Sequence, residues 1–362
     1  MPDGSHARAP RTLPRLRRVL AWLHLWLGLA AGTVFALVSL AGTVLVFHDE
    51  LLLASRPALA AHAATADAGV MGRLLGEAPS RGLTALDLPR EGLPVWQGYL
   101  ADGRRVYFAP EDGRLLLVRS HHDDWLMWLH HWHVELLGGA AGKEVLGIVG
   151  WIALGLLASG LYLWWPRPGR MLAQLRWHAG PPARRWLSWH RSSGVLMLPL
   201  LGLATLTGVG MVYSNGFRTV LVAALGADPA RAPAESQVAA PAIDWSSVLR
   251  TAGTAFPGAR IARVSPPAAD GNTVTFRLQA PGEWHPVGRS LVGISRDGRQ
   301  TLVHYDATAD RAGARLSNAI YPLHVAAVGG TGMKLALAAT GLLPTFLLVT
   351  GFLFWRRRRA TR

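Results

Sequence analysis

The 362-residue chain has no cysteine, only two lysines (Lys143 and Lys334) and few charges of any kind, 16% of its residues. Without cysteine there can be no disulfide, no thiolate metal site, no iron–sulfur cluster and no covalently attached c-type haem. Any redox chemistry must use a cofactor held without a covalent bond. A glycine-rich nucleotide fingerprint on a strand–helix turn is missing as well. Acids are scarce, 22 against 37 bases, which leaves a net charge of +15. The basic residues form no face on a folded domain, so a nucleic-acid partner is not expected.

What the chain has in quantity is apolar sequence. Half of its residues are hydrophobic, as in a polytopic membrane protein. Four stretches are long enough to cross a hydrocarbon core, which takes about 20 helical residues. They run from Val19 to Phe47, Val145 to Trp165, Leu187 to Tyr213 and Leu335 to Trp355. The first is too long for a signal-peptide core and no small-residue cleavage site follows it, so it reads as a retained anchor.

The arginines sort the loops. Arginines 8, 11, 15, 17 and 18 precede the first span. Arginines 167, 170, 176, 184 and 185 fill the loop between the second and third, and 356 to 359 and 362 follow the fourth. With Asp3 as the one acid, these segments carry +14 of the +15. The positive-inside rule then puts both termini and the middle loop in the cytoplasm, with the two long connections on the outer side of the membrane.

The chain is a tandem repeat. "WLHLWLGLAAG" (22–32) faces "SWHRSSGVLML" (188–198), an offset of 166 that matches His24 with His190, Gly28 with Gly194 and Gly42 with Gly208. "HVELLGGAAGK" (133–143) faces "HVAAVGGTGMK" (324–334), an offset of 191 that matches His133 with His324 and the two lysines with each other. Gly160 and Trp164 then meet Gly351 and Trp355. Two copies of one topology imply a pseudo-two-fold axis along the membrane normal.

The expected order is a basic N-terminus (1–18), a first span (19–48), an external domain (49–128), an interfacial segment (129–144), a second span (145–165) and a basic loop (166–186). A third span (187–213), a second external domain (214–320), an interfacial segment (321–334), a fourth span (335–355) and a basic tail (356–362) complete it. In the external segments, "VWQGYL", "RVYFA" and "LLLV" are joined by the turns "ADGR" and "EDGR". "TVTFRL", "SLVGIS" and "TLVHY" follow a helix near Trp245 to Phe256, with "RDGR" between the last two. Asp-Gly between alternating runs signals hairpins. The fold expected is a membrane four-helix bundle carrying two small α+β domains with antiparallel sheets, one per half. Ala/Pro-rich stretches at 57–68 and 227–242 read as linkers.

The histidines carry the functional question. His24 and His190 lie about a turn inside the cytoplasmic ends of their spans, each with a glycine four residues on, Gly28 and Gly194, on the same helix face. The vacancy would let a flat macrocycle lie against the backbone. His133 and His324 lie on the outer side, each followed by a Gly-Gly able to bend an interfacial helix into a span. Around a two-fold axis equivalent residues meet, so each pair can supply both axial ligands of one planar cofactor, and two pairs point to two non-covalent b-type haems with bis-histidine ligation. The alternative is that duplication has preserved ordinary packing residues; the glycines also suit plain helix packing. His48, in "VFHDEL", His130 and His131 are alternative ligands. Asp49 and Glu50 read as a helix end, and "HHDDW" (121–125) as metal-friendly side chains or a solvated face. His285 and His304 stand where they can meet a substrate; His6 and His178 read as surface residues.

At "LHLWLGL", "GTVLVFHDEL", "HVELLGGAAGKEVLGIVGWIALGLLASGLYLWWPR", "WLSWHRSSGVLMLPLLGLATLTG" and "LHVAAVGG" with "LLVTGFLFWRRR" the chain resembles the PepSY-associated transmembrane family, often called iron-regulated or iron-uptake membrane proteins. The segment "FPGARIARVSPP" through "GEWHPVGRSLVGISRDG" is similar to a PepSY domain. The resemblance covers nearly the whole chain. It implies a haem-b ferric-siderophore reductase of the inner membrane, with His24, His190, His133 and His324 at the family's membrane histidine positions. It also implies a ferric siderophore as substrate and, since no flavin-binding domain is present, a separate donor, either a cytoplasmic flavoprotein or a quinol. Two other readings remain: a non-enzymatic PepSY protein that binds or regulates a periplasmic partner, and a cupric or quinone-linked reductase built on the same haem wire.

Overall fold

The computed structural model describes residues 13–166, 169–227, 243–267 and 271–360. His6, Arg8, Arg11, Arg167, Arg362 and nearly all of the 227–242 stretch lie outside them. The chain opens with α1 (Leu13–Leu45), α2 (His48–Ser55), α3 (Pro57–Ala60), α4 (Ala68–Gly76) and α5 (Ala78–Arg81). Strands β1 (Leu83–Asp87), β2 (Trp96–Leu100), β3 (Arg105–Phe108) and β4 (Leu115–Arg119) follow, then α6 (Trp125–Glu135) and α7 (Gly139–Trp164). The second half holds α8 (Met171–Gln174), α9 (Pro182–Leu196), α10 (Leu198–Val212), α11 (Ser214–Leu225) and α12 (Trp245–Ala255). Strands β5 (Arg260–Ser265), β6 (Thr273–Gln279), β7 (Ser290–Ser295) and β8 (Thr301–Tyr305), with α13 (Ala312–His324) and α14 (Gly330–Ala360), complete it.

Two compact units result. One gathers residues 1–43, 138–212 and 335–362, the other residues 44–137 and 213–334. The first holds the apolar helices. Arg15–Leu45, Gly139–Trp164 and Gly330–Ala360 are each long and apolar enough to span a bilayer. The chain is a multi-pass membrane protein. Side chains such as Val145, Ile148, Trp151, Leu335, Leu342 and Val349 stay exposed on these helices, which in water would be an aggregation hazard and in lipid is the solvated state. Close approach is made by small residues: a Cβ on Gly150 of α7 would stand 2.6 Å from Val209 of α10, and one on Gly341 of α14 would stand 2.3 Å from the Thr43 hydroxyl.

The segment expected to be a single spanning helix over 187–213 differs. It is a pair, α9 and α10, bent by 65°. Pro199 sits one residue into α10 and has no N–H for the carbonyl a turn earlier, so the ladder breaks at Met197. The flanking apolar run hides the break from a hydropathy reading.

The second unit corrects the expectation of two separate external domains. Its strands form one eight-stranded antiparallel sheet in the order β4-β3-β2-β1-β5-β6-β7-β8. Each half is a four-stranded meander, and the seam is β1 against β5, with Leu86 opposite Val264 and Asp87 opposite Arg263. Either meander alone would leave one edge of its first strand open; joining the two satisfies both edges. The expected runs form β2, β3, β4, β6, β7 and β8, and the Asp-Gly turns join β2–β3, β3–β4 and β7–β8 with Gly103, Gly113 and Gly298 at positive φ. One face of the sheet is apolar and shared by both halves. Val70, Met71, Leu74 and Leu75 of α4 and Val248 and Ala252 of α12 pack with Leu86, Val264, Phe276 and Ile294 in a single core. Asp67 and Asp244 cap these two helices by accepting from Val70 N and Ser247 N.

Candidate functional site

The repeat-related histidines meet in pairs. In the apolar unit the imidazoles of His24 (α1) and His190 (α9) have ring centres 6.2 Å apart, with their planes at 86°. Each ring is held by the other span of its own half. His24 Nδ1 lies 2.9 Å from Ser159 Oγ on α7, and that hydroxyl donates to the Leu156 carbonyl, so the imidazole N–H is the donor to Ser159. His190 Nδ1–H donates to the Leu347 carbonyl of α14 at 2.9 Å, with Thr350 Oγ1 beside it at 3.4 Å. A proton fixed on Nδ1 leaves the lone pair on Nε2, the arrangement of a metal-binding histidine whose second nitrogen is tied down.

Behind each ring lies a glycine. A Cβ on Gly160 would stand 3.2 Å from His24 Cε1, and one on Gly351 would stand 3.3 Å from His190 Cε1. Leu156, Ser159 and Gly160 correspond to Leu347, Thr350 and Gly351 at the offset of 191. The two halves therefore use one device twice. Gly28 and Gly194, expected to leave a vacancy for a macrocycle, lie against that same pair of leucines. Their Cβ atoms would be 3.9 and 3.6 Å from Leu156 and Leu347, an ordinary contact distance.

In the sheet-bearing unit His133, near the end of α6, and His324, the last residue of α13, have ring centres 6.1 Å apart and planes at 36°. Both helices end in non-glycine residues at positive φ: Leu136 (50°) and Leu137 (58°) after α6, Ala326 (51°) after α13. Such residues cost of order 1 kcal/mol each. The strain lies directly behind the paired rings, at the turns into α7 and α14. The start of α6 is firmly set. Asp124 accepts from Leu126 N and Met127 N and receives a two-point bond from Arg119, which is 1% exposed and also donates to Tyr107 Oη.

Of the alternative ligands, His48 pairs with Asp49 (2.9 Å), and its buried Nε2 has no hydrogen-bond partner. Asp49, expected with Glu50 to end a helix, lies instead in the first turn of α2. It also binds Arg90 at 2.7 Å. Burial pushes its carboxyl up, but His48 and Arg90 overcome this and hold it well below the usual range. His130 is pushed down to about 3 by burial and then by Arg105 and the surrounding histidines; its Nδ1 is buried and unpartnered. His131 binds Glu135 at 2.7 Å and packs, with its ring tilted, against His121, which packs in the same way on His122. In "HHDDW", Asp123 accepts from Ser120 N and Asp124 caps α6, so the acids serve local structure.

The two candidate substrate-side histidines are separated. His304 is exposed beside α12, stacked on Phe256 and donating to the Ala255 carbonyl. His285 is buried, packs against Tyr321 with ring centres 4.8 Å apart and planes tilted by 32°, and its Nδ1 accepts from Val287 N.

Among the described residues no group of three or more His, Asp or Glu side chains could hold a metal ion. The donor sets are pairs. Two imidazoles on opposite sides of one metal, each nitrogen about 2 Å from it, have ring centres about 6 Å apart. Both pairs have that spacing, so the residues fit a planar metal group that brings its other four donors with it. The partners of the inner rings were not foreseen from sequence, although Ser159-Gly160 and Thr350-Gly351 recur at the offset already visible.

No curated protein sequence matches the chain. The family model described as the PepSY-associated TM region matches residues 21–358, nearly the full length of a chain built from two copies of one helix–sheet–helix unit, and the protein belongs to that family.

Proposed function

We propose that this protein is a dihaem-b electron conduit of the bacterial inner membrane. It would take electrons from a cytoplasmic flavoprotein or the quinol pool and reduce ferric siderophores, or other ferric chelates, in the periplasm, as a haem-dependent ferric reductase. The observation that carries this reading is the pairing of repeat-related histidines, His24 with His190 and His133 with His324, at nearly one ring separation. His24 and His190 would hold one haem, His133 and His324 the other. Bound between two imidazoles, a haem supplies one-electron transfer and has no vacant position at which substrate could bind.

The chain's own residues do the positioning. Ser159 and the Leu347 carbonyl fix the inner imidazoles as Nδ1–H tautomers and set their rotation. Gly160 and Gly351 let the facing spans come close enough to do so. The arginine-rich segments define the cytoplasmic side, so the sheet-bearing unit faces the periplasm, where a chelate too large to enter the bundle can take an electron at its surface.

The test is an absorption spectrum of purified protein, oxidised and dithionite-reduced, with haem quantified as the pyridine haemochrome. Low-spin b-type bands at about two haems per chain are expected, one per histidine pair. A preparation that stays colourless when haem is supplied during expression overturns the proposal. A His133→Ala/His324→Ala variant that keeps both haems removes the outer pair from the assignment.

A further inference from the structure

The sheet's second face changes character across the seam. Over β2 and β3 it is covered by Leu52, Leu59 and Leu126, which pack on Tyr107. The cross-strand row that starts at Tyr107 then continues through Gln97, Asp87, Arg263 and Arg277 to Leu291. It turns from apolar to cationic within five strands.

The carboxylates in this layer are already committed. Asp87 receives two bonds from Arg263 and one from Tyr99. Asp49 is held by Arg90 and His48. Glu283 spends its carboxylate on the backbone amides of Ala280, Arg289 and Ser290 and on the Ser290 hydroxyl. Neither Arg277 nor Arg289 has a carboxylate partner among the described residues, and Arg289 Nε is buried with no hydrogen bond at all. Half-buried guanidinium groups without anions are costly, so their presence calls for an anion.

The loop that carries Arg289 is built rigidly. Gly288 has φ +68°, and a Cβ there would stand 1.7 Å from the Leu278 carbonyl oxygen. The same loop sets His285 against Tyr321, one helical turn before His324. With Nδ1 accepting from Val287, His285 presents its proton on Nε2. Burial, then the charges of Arg289, Arg277 and Arg263, push His285 down to about 3 and keep it neutral. Burial and then Arg263 lower Arg277; burial and then Arg277 lower Arg289. Asp87 offsets part of this at Arg277, but the lowering prevails at both guanidinium groups, a sign of positive charge held closely together.

We propose that Arg277 and Arg289, with His285 and Tyr321 as neutral donors, form a carboxylate-binding site on the sheet face of the external unit. Arginine forks suit free carboxylates at two points, and the hydroxamates of a ferric trihydroxamate, all bound to a metal that takes up their charge, suit them less well. The carboxylates have two possible sources: a ferric polycarboxylate chelate arriving from outside, or the propionates of a haem held by His133 and His324. The first deepens the proposed function by naming a substrate class; the second rests on it.

Full-length protein in detergent is titrated calorimetrically with gallium(III) citrate, a redox-silent stand-in for ferric citrate, and with a gallium(III) trihydroxamate lacking carboxylates. A chelate site predicts that the citrate complex binds the wild type and binds at least tenfold more weakly to Arg277→Gln and Arg289→Gln. Arg277→Lys should recover part of the affinity. Arg260→Gln should not change it, since exposed Arg260 is already bonded to Gln279 and the Pro286 carbonyl. The trihydroxamate should not distinguish the variants. A propionate site predicts no citrate binding and a fall from two haems to one per chain in both glutamine variants. Unchanged haem content together with absent or unaltered citrate binding overturns the site. Because titration needs no haem, a colourless protein that binds citrate would end the conduit and keep the site. Thermal unfolding without ligand separates misfolding from lost binding, because removing an uncompensated cation should leave the unfolding temperature equal or higher.

Discussion

Single atoms decide the geometry around the inner histidines. A methyl group at Gly160 or Gly351 would press on an imidazole Cε1 at 3.2 or 3.3 Å, closer than unforced contact allows. If the proposed haems are bound, Gly160→Ala and Gly351→Ala are therefore expected to shift the low-spin electron paramagnetic resonance signal of one of them or lower the haem content by half. Gly155→Ala on the same helix as Gly160, where nothing stands within 4 Å, should leave both unchanged. His285 supplies a second test at this scale. Its pKa falls from 6.5 to about 3 on folding, so between those values the unfolded chain binds a proton that the folded chain refuses. Its contribution is complete above pH 6.5 and is lost as pH falls towards 3, at up to about 1.4 kcal/mol per pH unit. Thermal unfolding of the wild type between pH 7.5 and 5 should fall more steeply than that of His285→Gln.

Among the elements, α6 depends on its first turn more than on its composition. Asp124→Ala removes the cap and leaves Arg119, 1% exposed, as a buried charge without its partner. A loss of about 3–5 kcal/mol is expected, read by denaturant or thermal unfolding, together with loss of the signal of the proposed outer haem, because α6 carries His133. The ion pair between Lys334 and Glu50 has an exposed carboxylate. Lys334→Ala should change stability by under about 1 kcal/mol, so the coincidence of the two lysines in the repeat carries little energetic weight.

The same scale shows why some elements were legible in the sequence and others were not. Strands β2, β3, β4 and β6 to β8 announce themselves by alternation beside Asp-Gly turns. β1 ("LTALD") and β5 ("RIARVS") carry no such signal, because their mutual pairing spans nearly half the chain and leaves no local turn. Pro199 was in plain view, but a bend inside an apolar run does not change hydropathy. The histidine pairs were legible because equivalent positions in a two-fold repeat must approach each other. Their hydrogen-bond partners were not, since a carbonyl such as that of Leu347 has no residue signature.

For the molecule as a whole, the shared core and the β1–β5 seam predict that the sheet-bearing unit unfolds in one transition, not two. Differential scanning calorimetry of the full-length protein checks this; two separate sheet transitions would contradict it. Arg263→Ala removes the bond to Asp87 that crosses the seam. It should lower that single transition without splitting it, because Leu86, Val264 and Phe276 still join the halves.

The strand order 4-3-2-1-5-6-7-8 reads the same from either edge, and an antiparallel seam between equivalent strands is what a two-fold rotation generates. A half-length chain cut within the arginine-rich loop between the second and third spans would therefore carry an open β1 edge. Another copy of that same half would be its natural complement. Expressed alone, such a half should assemble as a homodimer that brings two copies of His24 together and two of His133. Expressed beside the second half, it should rebuild the parent. The covalent link between the halves then serves to fix which copies meet, and the sheet itself supplies the means of meeting.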